Sequence, residues 1–163
     1  RKVCPHGDVA HYLFHGDSED VDIGRISLQC GRRNDALKLF LAWREKGDAG
    51  WARLVDSYVD LADHLQSLVE ADEKLEMVSS RVWSNVCMRY VVEGFDLNDI
   101  NFQIRERMMR EGRFMVSSSK VGDIVILRPV IANPAVTRDV LDSFVENAIQ
   151  IGDDIVRGLP STI

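Results

Sequence analysis

Between residues 54 and 69 the apolar side chains Leu54, Val55, Tyr58, Leu61, Ala62, Leu65, Leu68 and Val69 recur at intervals of three and four. That period predicts an amphipathic helix over about 50–70, with Asp56, Asp60, Asp63 and Glu70 on its solvated side. Upstream, Ala36, Leu37, Phe40, Leu41 and Arg44 keep the same period over 32–46, and Leu39 and Trp43 widen the apolar face. A helix buried on more than one side is expected there, closed by Gly47 after the basic Arg44 and Lys46. Beyond residue 73 the period shortens. KLEMVS (74–79) and NVCMRYVV (85–92) predict strands, the second with Val86, Met88, Tyr90 and Val92 facing away from Cys87, Arg89 and Val91. A helix over 99–112 places Ile100, Ile104 and Met108 on one stripe and ends at Gly112. RFMVSSS (113–119) and DIVILRPVI (123–131) predict two more strands around the turn KVGD. A last helix over 137–156 turns Val140, Leu141, Phe144, Val145, Ala148 and Ile151 inward, with Thr137 as N-cap and Asp139 suiting the N-terminal dipole. The order loop, α, α, β, β, α, β, β, α is that of an α+β fold: a small, largely antiparallel sheet with helices packed against it. A boundary is expected near residue 48, in GDAG.

Composition changes this picture little. A chain of 163 residues with 45% apolar and 28% charged residues can bury a respectable core. A net charge of −6 argues against general nucleic-acid binding, and no apolar run approaches the roughly 20 residues of a membrane span. Three widely spaced cysteines, Cys4, Cys30 and Cys87, without a Cys-x-x-Cys, predict reduced thiols in a cytoplasmic protein.

Three stretches carry candidate chemistry. CPHGDVAHYLFHGD crowds Cys4, His6, His11, His15 and Asp17 together, yet its spacing fits no familiar zinc pattern, so satisfied polar residues in a packed loop are expected and no metal. QCGRRND sets Arg32 and Arg33 at a helix start, where they oppose the dipole and call for an anion. Asp35 offers local relief; a phosphate, a carboxylate or a partner chain would also serve. DIVILRPVIANP holds Arg128 in an apolar run that reads as a strand buried on both faces. Burying an unpaired charge costs several kcal/mol, and a guanidinium cannot shed its proton. Arg128 must reach water, pair with a distant carboxylate, or wait for an anionic ligand, and the stretch alone favours the first two. Pro129 points to an edge strand or a bulge. FHGDSEDVDIGR (14–25) is acidic and glycine-containing and reads as an exposed loop of the kind that often serves function.

Several stretches together resemble the C-terminal part of the pyridoxal-phosphate-dependent amino-acid decarboxylases. These are HYLF (11–14), LQCGRRNDALKLFLAWREKG (28–47), NVCMRYV, RERMMREGRFMVS and LRPVIANPAVTRDVLDSFVENAIQIGDDI, in family order. The Gln29–Cys30 pair looks like the glutamate, cysteine-sulfinate and aspartate decarboxylase branch more than the aromatic one. The resemblance implies that 1–47 is the end of the large cofactor domain with its catalytic-loop region and linking helix. It makes 48–163 the small C-terminal domain of the aspartate-aminotransferase-like, fold-type I architecture. It further implies a homodimer, pyridoxal 5′-phosphate as cofactor and an acidic amino acid as substrate. Arg128 occupies the place of the family arginine that binds a substrate carboxylate. Arg32 and Arg33 would brace the domain junction, and the loop 16–27, with Asp22 and Gly24, would cover the site.

Two departures bound the carry-over. The family's Schiff-base lysine stands in an Asn/Asp-Pro-His-Lys context, and none of Lys2, Lys38, Lys46, Lys74 and Lys120 has it. The chain is therefore expected to be a piece of a longer enzyme, inactive alone, with most cofactor contacts upstream. Many relatives carry a proton-donating tyrosine shortly before Gln-Cys-Gly-Arg; here Val21 falls there, and no tyrosine lies between Phe14 and Gln29. The enzyme reading expects exposed apolar surface on the 32–46 helix, where the large domain would pack. Its rival, a stand-alone interaction or small-molecule-sensing module, expects a complete, monomeric chain.

Overall fold

The computed structural model describes residues 33–159. The chain divides into two compact units, 1–48 and 49–163. Helix α1 (Asp35–Ala71) passes from one to the other, with a non-helical residue at Gly47 (φ 63°, ψ 176°). A positive φ costs glycine nothing for want of a Cβ, so the periods over 32–46 and 50–70 are two helical segments that meet at Gly47, where the first was expected to close.

In the first unit the described part of α1 is open to solvent. Leu37, Leu39, Phe40, Leu41 and Trp43 are between 46% and 58% exposed. The helix expected to be buried on more than one side therefore has an apolar face uncovered by the described residues.

The second unit contains β1 (Leu75–Met77), β2 (Met88–Tyr90), α2 (Leu97–Glu111), β3 (Ser117–Val121), β4 (Ile124–Arg128) and α3 (Arg138–Gly158). The four strands form one antiparallel sheet in the order β1-β2-β4-β3. The strands are shorter than their apolar runs. The β3–β4 turn is tighter than KVGD, because Lys120 and Val121 still pair with Val125 and Ile124 and leave only Gly122 (φ 60°) and Asp123 to turn the chain.

Helices α2 and α3 cover one face of the sheet. The core joins Leu65 and Val69 of α1, Met88 and Leu127 of the sheet, Ile100, Ile104 and Met108 of α2, and Phe144, Ala148 and Ile151 of α3. Tyr58, Ala62, Leu65 and Val69 follow the helical period that marked them in the sequence. Val55 and Val140, assigned inward by the same period, are 38% and 40% exposed, since each flanks the buried stripe.

Caps fix where the helices begin and end. The Asp96 carboxylate accepts from the backbone N–H groups of Asn98 and Asp99, and Gly112 closes α2 in the left-handed conformation at φ 71°. The Thr137 hydroxyl accepts from Val140 N–H and opens α3. Two asparagines of α2 then dock the helix onto the sheet. Asn101, fully buried, accepts Tyr90 N–H at 2.8 Å and donates to Tyr90 C=O at 2.8 Å. Asn98 accepts Val125 N–H and donates to Asp123 C=O, both at 2.8 Å.

Gly152 of α3 lies flat against the Tyr90 ring, where a Cβ would stand 2.6–2.9 Å from three ring carbons. Gly152→Ala should therefore destabilise the protein by roughly 1–3 kcal/mol, the usual cost of overpacking a core. Gly158→Ala, which meets nothing within 4 Å, should be near neutral. Urea denaturation of both variants checks this; equal midpoints would mean that the ring yields freely.

Candidate functional site

Arg128 is not buried. It ends β4 exposed to solvent, and its guanidinium makes no hydrogen bond or ion pair with the described residues. The apolar run misled because Ile126 and Leu127 are buried while the strand frays at both ends. Nor is β4 an edge strand: it lies between β2 and β3. Pro129 is tolerated because it falls one residue past the strand, where its carbonyl still accepts Val86 N–H at 3.1 Å.

Strand register defines what surrounds the guanidinium. Arg128 is paired with Ser117 on β3. The register that pairs Met88 with Leu127 and Asn85 with Val130 sets Cys87 opposite Arg128 on the β2 side. Partners across antiparallel strands share a face, and alternate residues return to it. Asn85, Cys87 and Arg89 therefore share a face with Ile126, Arg128, Val130 and Ser117, while Met88 and Leu127 point into the core. On that face Arg89 is ion-paired with Glu76, Cys87 is buried as a free thiol, and Val130 is half exposed. The Asn85 carboxamide oxygen is buried without a hydrogen-bond partner.

The turn that delivers Asn85 is held from behind. Val82 and Asn85 pair across Trp83 and Ser84, and Trp83 takes a positive φ of 56°. Non-glycine residues accept that conformation only when neighbours over-determine it. Arg81 does so: it donates to Trp83 C=O at 2.5 Å and to Gln66 Oε1 at 3.0 Å, and it is ion-paired with Asp63 of α1. Nothing in the sequence marked this turn, since Arg81 and Asp63 are eighteen residues apart and Asp63 read as part of a solvated face.

The other expected residues divide. Asp22, Gly24 and Arg32 lie outside the described residues, as do Cys4, His6, His11, His15 and Asp17 of the weighed metal cluster. Arg33 is exposed just before α1, where its carbonyl accepts Asp35 N–H at 2.9 Å. Asp35 does not relieve it; the Asp35 carboxylate pairs with Lys38 at 2.9 Å instead. The amide oxygen of Asn34 caps the helix through Leu37 N–H.

Two further places invite a functional reading. A cavity of about 420 Å³ is lined by Phe102, Gln103, Glu106, Arg107, Arg110 and Ile155. It belongs to α2 and α3, on the opposite side of the sheet from Arg128, and Arg107 there is paired with Glu111 and Asp154. The second is the cluster of Lys74, Tyr90 and Asp153. Lys74 Nζ reaches both Asp153 oxygens at 2.9 and 2.7 Å, and Tyr90 donates its hydroxyl to the same carboxylate at 2.7 Å. Burial alone would raise the Asp153 carboxyl. The hydrogen bonds from Lys74 and Tyr90 and the positive charge of Lys74 and Arg157 outweigh it and hold the group below its ordinary range. The Tyr90 hydroxyl is pushed well up by burial and by Asp153. Perturbed groups often mark active sites, but here every member is satisfied by another, so the cluster is a clasp between β2 and α3.

The described lysines do not suit a pyridoxal cofactor. Lys74 is committed to Asp153 and Lys38 to Asp35, while Lys46 and Lys120 are exposed, and none adjoins Arg128 in the register. The described residues do not build a pocket for that group.

Comparison with known proteins sets this geometry in context. The pyridoxal-dependent decarboxylase conserved domain matches residues 8–91. The fold is similar to that of mouse CSAD in its apo form, with a TM-score of 0.76 and 27% identity over 89% of this chain and 35% of that one. It is also similar to Oryza sativa TDC with PLP and tryptamine (TM-score 0.72, 24% identity, 82% of this chain and 29% of that one). A third similar structure is the glutamate decarboxylase domain of diaminobutyrate-pyruvate transaminase and L-2,4-diaminobutyrate decarboxylase from Vibrio parahaemolyticus (TM-score 0.70, 20% identity, 76% of this chain and 27% of that one). The chain thus spans about a third or less of the length of these proteins. The α+β arrangement of four antiparallel strands and packed helices is the small-domain part of the fold-type I architecture.

Asp153 gives a signed prediction. Its folded-state pKa is lowered, so its stabilisation is complete above the unfolded value, about pH 4, and is lost as pH falls through the folded value. Asp153→Asn should lower the urea midpoint at neutral pH, and the gap to wild type should close in acid. A gap unchanged down to about pH 2 would show that the charge contributes nothing.

Proposed function

The chain belongs to the pyridoxal-dependent decarboxylase family, and we propose that it is the C-terminal part of an enzyme that converts an acidic L-amino acid to its amine and carbon dioxide, with Arg128 as the residue that docks a substrate carboxylate. The observation that carries this reading is the exposed Arg128 guanidinium without a partner among the described residues.

A planar guanidinium gives a carboxylate two parallel N–H···O bonds, which fixes orientation as well as position. Arg128 stands at the open end of a central strand whose neighbours on both sides are hydrogen-bonded, so its backbone is held while its side chain is free. The Gln29–Cys30 pair supports an acidic substrate. The cofactor of this family, pyridoxal phosphate, would be held by residues outside those described, a Schiff-base lysine upstream among them.

The remaining roles follow from the same reading. The loop 16–27, with Asp22 and Gly24, covers the substrate, and Arg32 and Arg33 brace the junction between the domains. The apolar face of Leu37, Phe40, Leu41 and Trp43 packs against the remainder of the large cofactor domain, burying surface too greasy to leave in water. The assembled enzyme is a cytoplasmic homodimer. Among the described residues no helix is long and apolar enough to cross a membrane.

The test is Arg128→Met in the full-length enzyme, assayed for amine product with glutamate, aspartate and cysteine sulfinate. Loss of a charge-assisted pair is expected to raise KM about ten- to a hundredfold, or to abolish turnover, while cofactor absorbance is retained. Unchanged kinetics with all three substrates would remove Arg128 from the site.

A further inference from the structure

We propose that Asn85 is the positioning residue of Arg128: its carboxamide oxygen takes one guanidinium N–H and aims the remaining donors at the substrate carboxylate. The inference rests on the reading of Arg128 given above.

Two groups of opposite kind, neither with a partner among the described residues, share one face of the sheet. The Asn85 oxygen is buried with no donor, a state that costs about 1–3 kcal/mol if nothing fills it. Arg128 carries five N–H donors and meets no acceptor among the described residues. Asn85 is the cross-strand partner of Val130, two residues beyond Arg128, so the two stand in diagonal positions about 7–8 Å apart. An arginine side chain spans that distance. The other neighbours of Arg128 serve less well. Cys87, directly opposite, offers only a weak sulfur acceptor, and the Ser117 hydroxyl is exposed on a freely rotating side chain and fixes no direction.

The chemistry favours an amide over an acid at this position. A carboxylate beside Arg128 would neutralise it and compete with the substrate for the same fork. A neutral carbonyl orients the guanidinium and leaves its charge intact. A guanidinium offers more donors than one carboxylate can use, so accepting a bond on one edge does not block docking on another. The acceptor must also be rigid to be useful, and the Trp83 turn is the segment of this face that Arg81 ties to α1. Asn85 is therefore held by the turn, and Arg128 by Asn85.

The experiment compares Asn85→Ala, Asn85→Asp and Arg128→Met in the full-length holoenzyme. It reads KM for the substrate, the inhibition constant of the product amine, which lacks the α-carboxylate that this reading assigns to Arg128 but keeps the distal acid, and the thermal midpoint. N85A should raise KM about tenfold, the worth of one bond to a charged group, and leave the inhibition constant of the amine unchanged. N85D, which has the same shape, should raise KM further because its carboxylate occupies the guanidinium. Equal weakening of substrate and amine, or substrate KM values unchanged in both variants, overturns the proposal. If N85A does not fold, the isosteric N85D decides by the same ratio. An unchanged KM in R128M would defeat the reading of Arg128 itself; a raised KM in R128M beside unaffected Asn85 variants would defeat only the role of Asn85.

Discussion

Two asparagine side chains fix α2 to the sheet, and the placement of every other group on the sheet depends on that attachment. Strand β2 pairs with β4 at Met88 and again around Asn85, but its Tyr90 end runs past the point where β4 turns away. The Tyr90 N–H and C=O would be orphans inside the protein, each costing about 1–3 kcal/mol. Asn101 supplies one acceptor and one donor in the geometry of a neighbouring strand and satisfies both. Asn98, one turn earlier, does the same for the start of β4 through Val125 and Asp123. The helix therefore completes the ladder as well as packing upon it. That locks the register of β2 against β4, which decides that Cys87 rather than Met88 stands opposite Arg128.

The helices were largely legible in the sequence, because burial of one stripe forces a 3.6-residue period and α2 and α3 have clean ones. Ile100, Ile104 and Met108 are buried as their spacing requires, and Gly112 and Thr137 are the caps their chemistry suggested. Strand limits were less legible. An apolar run marks what is buried, whereas a strand ends where a partner ends. Thus Ile131 is buried outside β4, and Lys120 and Val121 pair although they looked like a turn. The docking role of Asn98 and Asn101 could not be read, since LNDIN presents the same residues as any polar helix start.

The proposed site was named in the sequence through one residue. A motif pointed to Arg128, but the physical reason offered, a cation buried in a greasy strand, was mistaken: its side chain is in water. Two arginines lie on the strands of the sheet, and they differ. Arg89 pairs with Glu76, its cross-strand partner. In a chain of net charge −6, with more acids than bases, an arginine has no shortage of partners. Arg128 takes none among the described residues, and its neighbours on the face are a thiol, a hydroxyl, a valine and an amide. The acid is withheld by the register, which a linear reading does not contain.

That withholding has a consequence for how a carboxylate site can be made at all. An exposed ion pair contributes little, about 0–1 kcal/mol, because water competes for both partners. An arginine in open solvent is thus a poor anchor for a substrate by itself. It becomes a good one when something covers it, since excluding water strengthens the Coulomb attraction severalfold. The described residues contribute the charge, the neutral surroundings and a rigid strand end, and they leave the site open on one side. On the proposed reading, a site divided in this way would bind its anion tightly only once the open side is covered. The uncovered apolar face on α1 is a different case: its leucines and aromatic rings are unfavourable in water, whereas the guanidinium is well hydrated until something covers it.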